Sequence, residues 1–105
     1  MSRRPRFHEQ ALEEIRSATE WYDRQRRGLG DEFLDTLDAL VMQLADAPGL
    51  GGRLPGAAPD CVARRVLLTR FPYVVVFVEV DDEVRVISVM HAKRRPGYWM
   101  RRLTR

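Results

Sequence analysis

The run from His91 to Trp99 gathers the side chains with the most chemistry to offer in this chain. An imidazole, with an ordinary pKa of about 6.5, moves protons near neutral pH. Arg94 and Arg95 carry planar donor forks that hold a phosphate or a carboxylate, and Tyr98 and Trp99 offer rings on which a base can stack. Arg64, Arg65 and Arg70 lie on or beside a preceding strand and can enlarge the same cationic patch. For Lys93, Arg101, Arg102 and Arg105 a solvated, charged tail is an equally good reading.

Other chemistries find little support. Two His, one Cys and no clustered carboxylates do not make a metal site, so neither metal nor cofactor is expected. The glycines of Gly49–Gly56 lack the Lys-Ser/Thr ending of a phosphate-binding loop. Cys61 has no partner marking it as a nucleophile, and as a single cysteine it forms no internal disulfide. A reducing, cytoplasmic setting is therefore expected. His8 stands alone and receives no role. Trp21 and Tyr22 read as packing residues of a helix, and Phe71 and Tyr73, on either side of Pro72, read as seals on a sheet edge.

Charge is distributed unevenly. Residues 1–27, 28–61 and 62–105 carry balances of +2, −5 and +6, which sum to the net +3. One end is thus suited to an anionic partner. Arg supplies 17 of the 18 basic residues, which fits bidentate recognition of phosphate or carboxylate. The longest apolar run, Val74–Val78, is far too short for a bilayer, and the amino end has no apolar stretch behind its arginines. No membrane association and no signal peptide are expected.

The elements that must position these groups follow from periodicity. At 105 residues one domain is expected, spanning the whole chain, with enough buried surface to need no disulfide. Arg4–His8 reads as a first edge strand. Ala11, Ile15, Ala18 and Tyr22 recur at helical spacing, predicting a helix from Glu9 to about Arg26. Gly28-Leu29-Gly30 breaks it, and Asp31 is placed to cap a second helix carrying Phe33, Leu34, Leu37, Leu40, Val41 and Leu44. Asp46-Ala47-Pro48 ends that helix. The two should pack as an antiparallel hairpin.

Gly49–Asp60, with four Gly and two Pro, reads as a flexible connection. Val62–Leu68 and Tyr73–Val80 read as strands, the second apolar on both faces like a central strand. Asp81-Asp82-Glu83 makes the turn into a returning strand, Val84–Met90. Pro96 stops it, and Gly97–Arg102 can form a short terminal helix. The order β-α-α-β-β-β predicts an α+β fold, with an N-terminal strand and a helical hairpin packed on a small antiparallel sheet.

These residues, taken in order, resemble a known family. The series Ala18, Glu20-Trp21-Tyr22, Gly28-Leu29-Gly30, Glu32-Phe33-Leu34, Arg70-Phe71-Pro72-Tyr73, Val86–Val89, His91 and Arg94-Arg95-Pro96-Gly97-Tyr98-Trp99 is similar to the RelE/ParE superfamily of toxins. The resemblance runs from about residue 8 to 102. It implies the toxin of a type II toxin–antitoxin module, which arrests growth until a partly disordered cognate antitoxin wraps it, in a toxin–antitoxin hetero-oligomer.

Three functions follow from the resemblance. The ParE-like branch binds DNA gyrase and carries no catalytic set; the Trp-Tyr, Phe-Pro-Tyr and His-x-x-Arg-x-Pro-x-Tyr-Trp wording sits closest to it. The other branch cleaves mRNA on the ribosome without metal, through attack of a ribose 2′-OH on the adjacent phosphate. In that case His91 is the general acid or base, Arg65 and Arg95 clamp the phosphate, and Tyr98 stacks or moves a proton. This chain departs from that branch in having a single Lys and a Pro-Gly-Tyr-Trp tail. The third reading is a degenerate member that binds an antitoxin without toxicity.

Overall fold

The computed structural model describes residues 5–47, 49–54, 62–94 and 97–103. The expectations resting on Arg4, Pro48, Cys61, Arg95, Pro96 and Arg105 lie outside those residues. The element order is β1 (Arg6–Phe7), α1 (Glu9–Gln25), α2 (Leu29–Asp46), β2 (Gly52–Arg53), β3 (Ala63–Leu67), β4 (Tyr73–Val80), β5 (Glu83–His91) and a 3-10 helix, Tyr98–Leu103. The α+β class and the helical hairpin are as expected from the sequence.

The five strands lie in the order β1-β5-β4-β3-β2. All pairings are antiparallel except β1, which runs parallel to β5 through Arg6↔Arg85 and Phe7↔Val86. The sheet is therefore mixed, because the chain leaves β1 directly into α1 and does not turn back as a hairpin. The short β2 arises inside the connection read as flexible, where Gly52 and Arg53 pair with Arg65 and Arg64.

Strand β4 is central and apolar on both faces for a reason. Val75 and Phe77 point into a core shared with Ala18, Tyr22, Phe33 and Leu37 of the helices. Val74, Val76 and Val78 point the other way, into a second core shared with Ile87, Met90 and Trp99. The 3-10 helix thus covers the face that the hairpin leaves open. Trp99 is 2% exposed, and burying a side chain of that size contributes on the order of 3 kcal/mol.

Helix α1 begins at a cap the sequence did not advertise: the His8 imidazole accepts from the Gln10 N–H at 3.1 Å. Helix α2 departs from expectation at its start. Asp31 is not the cap; it lies in the first turn, and Gly28 precedes the helix at φ 89°. The cap comes from the neighbouring helix, since Gly30 N–H donates to Asp23 Oδ1 at 2.8 Å. That approach requires glycine, because a Cβ on residue 30 would lie 2.6 Å from the Thr19 carbonyl oxygen. The β4–β5 turn holds only Asp81 and Asp82, both left-handed at φ 54° and 62°.

Candidate functional site

Strand β5 sets the site. Its outer edge is covered by β1 only at Arg85 and Val86, and α1 runs beside the remainder. A groove of about 770 Å³ opens there between α1 and the 3-10 helix. Its walls include Trp21, Tyr22, Tyr73, His91, Arg94 and Tyr98.

Each wall residue is placed by its element. Tyr22 lies on the apolar stripe of α1 and packs on Phe33 and Phe71 at centroid distances of 5.4 and 5.0 Å. Trp21, one residue earlier, is turned away from the core. It stands edge-on to Tyr22 at 5.1 Å and is 49% exposed, so the expectation that it is a packing residue is corrected. Tyr73 and His91 face each other across β4 and β5, their rings 5.4 Å apart. Tyr73 therefore belongs to the groove, while Phe71 is buried in the core. The Arg94 guanidinium lies 4.0 Å from the Tyr98 ring centroid, a stacked cation at the rim.

Beneath the groove lies a polar cluster built on Glu14. Its carboxylate accepts from the Val89 N–H at 3.0 Å, from Ser88 Oγ at 3.1 Å, from the Tyr98 hydroxyl, and from Arg102 Nη1 at 3.1 Å. Arg102 Nη1 also donates to the Ile87 carbonyl at 2.9 Å. Burial pushes the Glu14 carboxyl up, but Arg102, Tyr98 and the Val89 N–H together outweigh it and hold the group below its ordinary value. Burial and the Glu14 carboxylate push the Tyr98 hydroxyl above its ordinary value. No buried polar side-chain atom among the described residues is left unsatisfied.

The structure brings together two of the four sequence-predicted site residues. His91 and Tyr98 share the groove. Arg65 sits on β3, exposed, opposite Val76, and does not line the groove. Arg95 lies outside the described residues. Arg70 does not enlarge the cluster either; it turns to α2 and pairs with Glu32 at 2.7 Å. Arg64 donates to the Gly51 carbonyl at 3.4 Å.

Arg102 is no solvated tail residue, since its side chain is 9% exposed and paired. Glu14 was not singled out by sequence, though a signal existed. At i+3 from Ala11 and i−4 from Ala18 it falls on the apolar stripe, where an unpaired carboxylate is costly.

The comparisons with known proteins bear on this arrangement. The model of the ParE toxin family, described as the ParE toxin of the type II toxin–antitoxin system parDE, matches residues 6–96. The chain belongs to the ParE toxin family. No curated protein matches it significantly. As a ParE-family member it is the toxin of a type II toxin–antitoxin system, and a cognate antitoxin is its partner. The match takes in β1, the hairpin and the whole sheet with His91, and ends before the 3-10 helix that carries Tyr98 and Arg102. No helix among the described residues is long and apolar enough to cross a membrane.

Proposed function

We propose that the whole chain is one toxin domain that acts in the cytoplasm, arresting growth by binding a DNA gyrase-type target. Its antitoxin silences it by laying an apolar, acidic segment in the groove beside β5. The observation that carries this reading is the half-exposed Trp21 standing over that groove, with the Arg94 cation on the Tyr98 ring at its rim. Open aromatic surface next to a cation fits an amphipathic segment bearing carboxylates.

Binding is favoured over catalysis by how the polar groups are committed. The Tyr98 hydroxyl is held by Glu14 and sits 2.9 Å from Ser88 Oγ, and its raised pKa suits it poorly to proton transfer. His91 Nδ1 accepts from the Lys93 N–H at 3.1 Å, and Arg65 stands apart on β3. Among the described residues, Arg65 therefore stands away from His91 and Tyr98, and the Tyr98 hydroxyl is engaged in positioning contacts.

Expressing the chain alone and pulse-labelling both syntheses tests the reading. DNA synthesis should stop first, and His91→Ala should leave the arrest intact. Protein synthesis stopping first, with arrest abolished by His91→Ala, supports a ribonuclease instead. Normal growth supports a degenerate member.

A further inference from the structure

Strand β5 is a hazard by composition. Val84, Val86, Ile87, Val89 and Met90 are buried apolar residues on a strand whose outer edge, among the described residues, meets no other strand beyond Val86. Such an edge presents free N–H and C=O groups and invites pairing with another chain. At its start the His8 N–H takes the Val86 carbonyl at 2.9 Å. Past that point the partners are side chains. Glu14 accepts from the Val89 N–H at 3.0 Å, and Arg102 donates to the Ile87 carbonyl at 2.9 Å. Carboxylate and guanidinium are themselves joined at 3.1 Å. One acceptor and one donor thus stand where an adjacent strand would place its C=O and N–H.

We propose that Glu14 and Arg102 form an edge guard: a joined pair that substitutes for a neighbouring strand and keeps β5 from pairing with the same edge of a second copy. A second copy is the fitting occupant because the edge is self-complementary. Two antiparallel β5 strands about a two-fold axis exchange the same N–H and C=O groups. The guard also explains why two charges are kept at 9% and 16% exposure. A buried ion pair adds little net stability over an apolar pair of similar size, whereas charge held against a strand edge opposes pairing there. Tyr98 and Ser88 complete the carboxylate's bonding, so that it does not rotate away from β5. The inference stands on these contacts alone and does not depend on the toxin's target.

The test removes both charges together, so that neither is left buried alone. Glu14→Leu/Arg102→Met and the wild type are compared by light scattering across concentration, with hydrogen exchange at the Val89 amide. The variant should self-associate roughly tenfold or more tightly than wild type, the equivalent of one or two net hydrogen bonds. Its Val89 amide should exchange quickly when dilute and slowly when concentrated, while the wild-type amide is slow throughout. A folded variant that associates no more than wild type, or whose Val89 exchange ignores concentration, overturns the guard. Should that double variant fail to fold, Glu14→Ala/Arg102→Ala is read by the same two measurements, with association again expected to tighten.

Discussion

Glu14 and Arg102 lie 88 positions apart in the chain, yet their side chains meet at 3.1 Å against the outer edge of β5. That contact ties the first helix, the last strand and the 3-10 helix into one unit. Three consequences for stability and binding follow from it and from the groove above it.

Glu14→Gln should lower stability by about 2 kcal/mol and Tm by roughly 10 °C, because the Arg102 cation is left partly buried without its counter-charge. Thermal unfolding followed by circular dichroism checks this. Arg102→Lys should also destabilise, since an ammonium cannot engage both Glu14 oxygens as the Nη1 and Nη2 fork does.

Stability should also depend on pH in a defined way. The folded Glu14 carboxyl lies below its unfolded value, so its contribution is present above about pH 4.5 and is lost as pH falls through the folded value. The Tyr98 hydroxyl lies above its unfolded value, so its contribution is full below about pH 10 and is lost as pH rises through the folded value. Urea midpoints measured from pH 3 to 11 should fall at both ends, and Glu14→Gln should flatten the acid limb.

Trp21→Ala should weaken antitoxin binding by about 2 kcal/mol, or roughly thirtyfold, while changing stability by less than about 1 kcal/mol, because the ring is 49% exposed. Tyr22→Ala should instead cost about 3 kcal/mol of stability, since that ring is 8% exposed and packs on Phe33 and Phe71. Calorimetric titration and denaturation of the two variants separate the roles.

Two backbone positions give opposite signs. Gly30→Ala should destabilise by about 2 kcal/mol, because the new methyl meets the Thr19 carbonyl at 2.6 Å. Asp82→Gly should stabilise by about 0.5–1 kcal/mol, since residue 82 sits at φ 62° in a two-residue turn where glycine carries no Cβ penalty. Chemical denaturation of each variant reads the sign directly.

The regular elements were legible in the sequence where side-chain pattern and burial agree. Strand β4 has its expected bounds because an apolar run flanked by Pro72 and Asp81 has few other ways to be buried. Helix α1 ends within one residue of expectation for the same reason. The start of α2 was missed because its cap, Asp23, lies across the loop on α1. Trp21 was misjudged because a helix turns 100° per residue, which carries the neighbour of a buried Tyr22 out to the rim. His91 and Tyr98 were legible as neighbours at one sheet edge, since the strand end and the following 3-10 helix deliver them there. The burial of Arg102 was not, because it depends on a partner remote in sequence and on the path of the chain after β5.

The gyrase reading meets its most direct test in a supercoiling assay with purified components. Purified gyrase is titrated with the wild-type chain, and its cognate antitoxin is then added. Supercoiling should stall as the chain is added and recover on addition of antitoxin, with His91→Ala stalling as wild type does. Supercoiling that continues unchanged at saturating chain contradicts gyrase as the target.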